Sequence, residues 1–411
     1  MEKVVITGMG TVNPLGLTVE ESWKNAVNGA SGVGPITLFD PSLLNVHFAA
    51  EVKNFAPDQY MDPKEARRRD RFEQFGVAAA KDALANSGLE ITDENSGRIG
   101  VLVSSAVGGI KSLSDAVITN FTEGPRRVSP FLIPMLMPNG AAGMIAIDNQ
   151  IKGPCFSVAS ACASGVDGIG TAFLMLKAGM IDAAVTGAAE TTICSVGVAA
   201  FDRVGAMSRR NDDYSMTPQP FDKNRDGLVM GEGAGVLVLE RESSAKKRGA
   251  NILAELAGYG ATADAFHVTA PHENGDGGAA AMRMALDSAQ ANDDELGYIN
   301  AHGTGTSLND LSETRAVKSV FGERAYQIPT SSTKSMTGHM MGATGALEVI
   351  FCVQAIRDGI LPPTIHYETP DPECDLDYVP NQAREKKITL AISNAFGFGG
   401  HNAVLAIRKY G

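Results

Sequence analysis

The sequence has no long apolar run and no pair of closely spaced cysteines. A membrane-spanning helix needs about 20 consecutive apolar residues, so none is expected. The five cysteines stand at irregular positions without a CxxC pair, which argues against a structural zinc site and against a disulfide framework. We therefore expect that the cysteines hold no metal and that their thiols are reduced. Reduced thiols in turn favour a cytoplasmic protein.

The sequence also has fewer basic residues than acidic ones. Lysine and arginine number 35 against 47 aspartates and glutamates, giving a formal net charge of −12. Such a surface is a poor match for nucleic acid or for an anionic membrane. The chain opens with MEKVVITGMG, a strand pattern without the features of a secretion signal, which again favours the cytoplasm.

Short β-rich apolar runs alternate with longer helical patterns along the 411 residues, which is typical of an α/β protein. Strands are predicted around Val4, Val101, Val185, Val236, Ile252, Tyr298, Leu390 and Ala403. Helices are predicted over Arg71–Ser87, Asp276–Asn292 and Ser312–Phe321. Two strand series read alike and meet at the charged segment ESSAKKRGAN, so we expect a duplication with halves 1–250 and 251–411.

Cys162 is the candidate nucleophile. Apolar residues from Val166 onward recur at helical spacing, so a helix is predicted to begin just after the cysteine. Backbone N–H groups and the helix dipole at such a position favour the thiolate, lower the thiol pKa and can hold an oxyanion. A small buried hydrophobe is the alternative interpretation of a free cysteine.

Two of the seven histidines stand in glycine-rich segments, each predicted to follow a strand directly: His302 in YINAHGTGTS and His339 in KSMTGHMMG. The carboxyl ends of strands are where α/β proteins build their sites. A single histidine of this kind is as often a core residue bonded to a carbonyl. Two such motifs together with Cys162 favour a catalytic set.

Glycine motifs for nucleotide cofactors are absent. Gly8 and Gly10 follow a strand, but Asn13 occupies the third glycine position of a dinucleotide fingerprint, and no phosphate-binding loop occurs. No cofactor is therefore predicted.

The Cys162 segment, NAHGTGT with Asn309-Asp310, KSMTGH and SNAFGFGGHN occur in this order. Together they resemble the condensing enzymes of the thiolase superfamily, and in particular the elongating β-ketoacyl-[acyl-carrier-protein] synthases of type II fatty-acid synthesis. The resemblance covers essentially the whole chain. It implies a duplicated thiolase-like fold with five layers, α-β-α-β-α, and decarboxylative Claisen condensation of an acyl-cysteine with malonyl-carrier protein.

The resemblance also implies roles for individual residues. Cys162 would carry the acyl group, while His302 and His339 would stabilise the enolate, with Lys334 supporting His302. The remaining roles are an oxyanion hole from the N–H groups of Cys162 and Phe398, gating by Phe396 and Phe398, buried acids at Glu348 and Asp310, and pantetheine contacts from Thr304 and Thr306. For Glu348 alone, an exposed position on a helix is an equal alternative.

Partners follow from the same resemblance. Val107 would line the acyl pocket, and Arg67, Arg68, Arg126 and Arg127 would dock an acidic acyl carrier protein bearing the acyl or malonyl group. An ordinary solvated helix face is the alternative for the arginines. Relatives of this type are homodimers, and some hold a monovalent cation near the position of Asn394.

Three other functions stay open. HGTGT differs from the HGTST of many fatty-acid enzymes and resembles polyketide ketosynthases at that position, so a type II polyketide ketosynthase is one alternative. A non-catalytic chain-length partner subunit is another, although such subunits lack the nucleophile. A thiolase acting on coenzyme A thioesters is disfavoured by the second histidine motif.

Overall fold

The computed structural model describes residues 2–411. Its strands are β1 (Val4–Val12), β2 (Gly34–Pro35), β3 (Phe48–Ala49), β4 (Ile99–Ser104), β5 (Ala183–Thr191), β6 (Glu232–Arg241), β7 (Ala254–Ala263), β8 (Leu296–Asn300), β9 (Thr330–Ser331), β10 (Ile360–Leu361), β11 (Arg384–Glu385), β12 (Leu390–Gly397) and β13 (His401–Arg408). The eight predicted strands are confirmed as β1, β4, β5, β6, β7, β8, β12 and β13.

The helices are α1 (Val19–Val27), α2 (Pro63–Ala66), α3 (Arg71–Ser87), α4 (Ile110–Glu123), α5 (Leu132–Leu136), α6 (Gly140–Asn149), α7 (Ser164–Lys177), α8 (Ser195–Val204), α9 (Glu242–Lys247), α10 (Asp276–Ser288), α11 (Ser307–Phe321), α12 (Lys334–Thr337) and α13 (Thr344–Asp358). Of the three predicted helices, α3 has the predicted bounds, α10 ends at Ser288 and not at Asn292, and α11 begins at Ser307 and not at Ser312. None of the helices described for residues 2–411 has the length and hydropathy that a membrane span requires.

The two halves repeat one topology. In the first half, the opening strand β1 pairs antiparallel with the last strand β6, β6 pairs antiparallel with β5, and β5 pairs parallel with β4. In the second half, β7, β13, β12 and β8 pair in the same order and with the same directions. The strand pairing of the first half is therefore repeated in the second half, as the duplication predicts. The division at residue 250 falls between β6 and β7 and stays a prediction.

Apolar cores fill the spaces between five layers. Helices α3 and α6 cover the outer face of β4, β5, β6 and β1, while α10 and α11 cover the outer face of the second half. Helices α7 and α13 lie between the two halves and contact strands of both. Pairs between β1 and β7, such as Val4 with Leu256, join the halves into one nine-stranded sheet. The expected two sheets are thus hydrogen-bonded to each other.

Close packing brings α3 onto β1. A side chain at Gly8 would place its Cβ 2.1 Å from the carbonyl oxygen of Ala83, so only glycine fits there. The start of α3 is fixed by a capping box between Asp70 and Glu73. The central helices α7 and α13 begin close to Cys162 and His339, respectively. The fold therefore directs both helix N-termini of the middle layer toward one site.

Candidate active site

Cys162 lies in a sharp turn that leads into α7. Ala161, directly before it, has a φ of +51°, a left-handed conformation that is unusual for a residue with a side chain. The turn is closed by Ser164, whose hydroxyl accepts a 2.9 Å hydrogen bond from the Ser160 N–H and donates a 2.6 Å bond to the Ala161 carbonyl. The prediction that a helix begins just after Cys162 is confirmed.

The pKa expected for the Cys162 thiol is wrong in direction. Burial raises this pKa to about 11, and the Lys334 ammonium and the N–H groups of Phe398 and Cys162 lower it only in part. A thiolate in a site that excludes water loses more solvation than these groups return. The Cys162 thiol is therefore neutral at pH 7.

His339 contacts the thiol directly. Its Nε2 atom lies 3.2 Å from the Cys162 Sγ atom, and its Nδ1 atom lies 3.0 Å from the Thr344 hydroxyl. The prediction that His339 directly follows a strand is wrong, because the short helix α12 lies between β9 and this residue. The imidazole is nevertheless held beside the sulfur.

His302 stands two residues after the end of β8, as predicted. Its ring centre is 5.3 Å from that of His339, and the two rings are almost perpendicular at 84°. The backbone N–H groups of His302 and Gly303 both donate to the Glu313 carboxylate, at 2.8 and 2.7 Å. Glu313 thereby fixes the turn that carries the imidazole.

Lys334 is buried and forms an ion pair with Glu348 at 2.7 Å between Nζ and Oε1. Glu348 is therefore a buried acid and not an exposed one. Burial, together with the nearby Lys334 ammonium, lowers the pKa of both His302 and His339 well below 6.5. Both imidazoles are neutral at pH 7 and can each offer one N–H and one lone pair.

The loop after β12 brings a second N–H group to the sulfur. The Phe398 N–H hydrogen-bonds the Cys162 sulfur, which lowers the thiol pKa. Gly397 allows this approach, since a Cβ there would lie 3.0 Å from the Cys162 nitrogen. The rings of Phe396 and Phe398 pack against His302 and Phe201, with centroids 5.8 and 6.2 Å apart. Two N–H groups at one sulfur are the arrangement that an oxyanion hole requires.

These groups share one cavity of about 260 Å³. Cys162, His302, His339, Phe396 and Phe398 line it, and so do Thr304 and Thr306, whose hydroxyls are 2.9 Å apart. The threonines thus line the same cavity as the two histidines, and their contacts to a substrate arm stay a prediction.

Asp310 supports the same wall from behind. Its buried carboxylate accepts hydrogen bonds from the N–H groups of Phe221 and Gly305, at 2.8 and 3.2 Å. It fixes the loop between Thr304 and Thr306 and does not line the cavity.

Val107 and the four arginines lie outside the residues that line this cavity. Val107 is 37% exposed on the loop before α4. The two arginine clusters lie near each other, because the Arg68 guanidinium is 4.7 Å from the ring centre of Phe131, a few residues after Arg126 and Arg127.

Three buried residues of the site were not found by sequence reasoning. Glu313 holds the His302 turn, Thr344 contacts His339, and Glu190 accepts from the N–H groups of Ala106 and Gly342. The detectable signal for Glu313 was its position three residues after Asp310, which places both acids on one face of α11. For Glu190 the signal was an acid inside a buried strand.

Comparisons with known proteins agree with this geometry. Residues 1–245 match the family model "Beta-ketoacyl synthase, N-terminal domain", and residues 253–368 match "Beta-ketoacyl synthase, C-terminal domain". A curated 3-oxoacyl-[acyl-carrier-protein] synthase 2 of Staphylococcus aureus (strain N315) is 48% identical over 409 residues, covering 100% of this chain and 99% of that relative. One from Synechocystis is 46% identical, covering 100% and 98%.

Solved structures give the same result. A β-ketoacyl synthase from Burkholderia phymatum superposes with a TM-score of 0.92 at 36% identity, and the ishigamide ketosynthase/chain length factor with a TM-score of 0.93 at 36%. A type II polyketide ketosynthase solved in complex with its acyl-carrier protein has a TM-score of 0.92 at 33% identity. In each case the match covers 100% of both chains. The thiolase-like fold expected from the sequence is confirmed.

Proposed function

The chain belongs to the β-ketoacyl synthase family, and on that basis we propose that it is a 3-oxoacyl-[acyl-carrier-protein] synthase of fatty-acid elongation. One observation carries the proposal: the Cys162 sulfur, two neutral imidazoles and the Phe398 N–H meet in one cavity. This is the set that condensation by way of an acyl-cysteine requires.

The first half-reaction loads the enzyme. The Cys162 sulfur attacks the thioester carbonyl of the acyl-carrier protein, and the Cys162 and Phe398 N–H groups stabilise the oxyanion. The carrier thiolate leaves and takes up the proton that the Cys162 thiol gives up. His339, 3.2 Å from the sulfur, holds the thiol in place during the attack.

The second half-reaction makes the carbon–carbon bond. The bond between the malonyl carboxylate and its methylene carbon breaks, CO₂ leaves, and the electron pair forms an enolate whose oxygen accepts hydrogen bonds from His302 and His339. The carbanion then attacks the acyl-cysteine carbonyl, and the Cys162 thiolate leaves and is reprotonated from solution. Loss of one of these donors is expected to cost about 3 kcal/mol of transition-state stabilisation.

Mass spectrometry tests this function directly. Wild type incubated with acyl-carrier protein and malonyl-carrier protein should yield the 3-oxoacyl product two carbons longer, and Cys162→Ala should yield none. Absence of both product and acyl-cysteine in the wild type, over several chain lengths, would contradict the proposal and favour a non-catalytic partner subunit. Repeated extension of the product would favour the polyketide alternative.

We place the acyl-carrier protein on the face formed by Arg67, Arg68, Arg126 and Arg127. The contact between Arg68 and Phe131 brings the two clusters together and supports one basic docking face. Arg126→Glu combined with Arg127→Glu should raise KM for acyl-carrier protein and leave kcat with a short acyl-pantetheine thioester unchanged. An unchanged KM would remove these residues from the docking face.

We also propose that the protein is a homodimer in the cytoplasm. Helix α4 exposes Leu113, Val117, Ile118 and Phe121, the last at 91%, and covering such an apolar face by a second copy would remove it from water. Sedimentation of wild type and of Val117→Glu distinguishes the outcomes: the dimer should dissociate in the variant only.

We also propose a monovalent cation behind the site, near Asn394. Side-chain oxygens of Asn300, Glu348 and Ser393 are buried without a hydrogen-bond partner among the described residues. Asn300 and Ser393 are paired across β8 and β12, and α13, which carries Glu348, packs on β12. These three residues would hold the ion, which would supply structural charge and no reaction step. A rise in Tm with K⁺ concentration at constant ionic strength, abolished by Ser393→Ala, would support the site.

A further inference from the structure

Thr344 is the hydrogen-bond partner of His339 at the ring nitrogen that faces away from Cys162. It is the first residue of α13 and is 2% exposed. Its hydroxyl oxygen lies 3.0 Å from His339 Nδ1, while Nε2 on the other edge of the ring lies 3.2 Å from the Cys162 sulfur. A chain of three groups therefore runs from the helix start to the nucleophile.

Two proton arrangements are compatible with these distances. If the imidazole proton is on Nδ1, it is donated to Thr344, and the threonine O–H is left without an acceptor, because within residues 2–411 the His339 ring is its only hydrogen-bond partner. If the proton is on Nε2, the threonine donates to Nδ1 and Nε2–H points at the sulfur. Only the weak S–H donor is then unpaired. The second arrangement leaves the less costly group unsatisfied.

We propose that Thr344 is a positioning residue that holds His339 as the tautomer with its proton on Nε2. His339 is then a hydrogen-bond donor toward the cavity and not a base. This inference rests on the proposed function for its consequence, since a donor at this point stabilises the enolate formed on decarboxylation, whereas a base would not.

The groups around His339 keep its imidazole in the neutral state. Burial and the Lys334 ammonium both lower the pKa of His339, so its imidazole stays neutral and the question is only which nitrogen carries the proton. The His302 ring stands at 84° to it and leaves the Nε2 edge free to face the cavity. The tautomer is thus decided at Nδ1, where Thr344 is the partner.

Thr344→Val tests the inference, because valine keeps the shape of threonine and removes the hydroxyl. Thr344→Ser is the matched control that keeps the hydroxyl. With [¹⁵N]histidine-labelled protein, and His339→Gln to assign the signal, wild type and Thr344→Ser should show a protonated Nε2 and an unprotonated Nδ1. Thr344→Val should show a mixture of tautomers or mainly protonated Nδ1.

Kinetics provide the second readout. In Thr344→Val, the rate of malonyl decarboxylation and condensation should fall about tenfold, while acylation of Cys162 changes less than about threefold, because only the first of these steps needs the donor. Protonated Nδ1 in the wild type, full activity in Thr344→Val, or equal losses in the serine and valine variants would each overturn the inference.

A failure of the proposed function can be distinguished from a failure of the inference about Thr344. A wild type that shows the Nε2–H tautomer but makes no 3-oxoacyl product would leave the assignment of the tautomer intact and remove the reaction it is meant to serve. Equal Tm values for wild type and the two variants would show that loss of activity is not loss of fold.

Discussion

The Tyr259 hydroxyl, on the first strand of the second half, donates a 2.7 Å hydrogen bond to Asp167 on the helix that follows Cys162. The other oxygen of Asp167 accepts from the Ser160 hydroxyl, two residues before the nucleophile. The turn that strains Ala161 is therefore tied to both halves of the molecule. Cys162 belongs to the first half and the two histidines belong to the second. The hydrogen bonds of Asp167 therefore help to fix the position of the thiol relative to the imidazoles.

Tyr259→Phe should lower the free energy of unfolding by about 1 kcal/mol, since one partly buried hydrogen bond is lost. Combined with Asp167→Ala, the loss should be less than the sum of the single variants, because both remove the same contact. Chemical denaturation at fixed protein concentration measures both effects. Tyr326→Phe, at a tyrosine that is 45% exposed, is the control. Strict additivity would mean that the link is not maintained in solution.

Alkylation of Cys162 by iodoacetamide should accelerate steadily with pH. With the thiol pKa raised to about 11 by burial, the thiolate fraction grows about tenfold for each pH unit between pH 7 and 10. The measurement is the rate of inactivation, in a Cys155→Ser background that removes an exposed thiol. A plateau below pH 9 would mean that the helix N-terminus and Lys334 outweigh burial.

Lys334→Met should lower the free energy of unfolding by about 3 kcal/mol, because it leaves the buried Glu348 without its cation. Lys334→Met combined with Glu348→Leu should recover most of this stability, since neither charge is then buried. Activity should return only in part, because burial alone then lowers the pKa of the two histidines and the contribution of the ammonium is missing.

The pH profile of kcat for the double variant checks this reasoning. Removal of the ammonium raises the pKa of His302 and His339, so the acidic limb of the profile should move to higher pH. A double variant with a wild-type profile would show that Lys334 acts only through the stability of the fold.

The sequence predicted those parts of the molecule that local physics decides. Helix α3 was predicted at both ends because Asp70 caps its start and Gly88 ends it in a left-handed conformation. The Val-rich strands were recognised because they are buried on both faces. Cys162, His302, His339 and Lys334 were found through motifs, and the structure brings them together.

The features that the sequence did not predict depend on long-range packing. The pKa of Cys162 was expected to fall because the helix start is visible in the sequence, whereas the depth of burial that raises the pKa is not. Glu313 and Thr344 were missed because an acid or a hydroxyl on a helix is ordinarily exposed, and only the tertiary fold turns these two inward. The pairing of β1 with β7 likewise joins residues some 250 positions apart.

Glu73→Gln should reduce the loss of stability at alkaline pH. Burial raises the pKa of Glu73 from 4.5 to about 8, so between these values the folded chain holds a proton that the unfolded chain has released. Stability therefore falls as pH rises through this window. Glutamine has no proton to lose, so the free energy of unfolding of the variant should gain about 4 kcal/mol on that of the wild type between pH 5 and pH 8.5, since nearly the whole shift falls in this range and each pKa unit corresponds to about 1.4 kcal/mol. Denaturation at both pH values measures this, with the exposed Glu94→Gln as control. A constant difference between Glu73→Gln and wild type across this range would show that Glu73 is ionised in the folded chain.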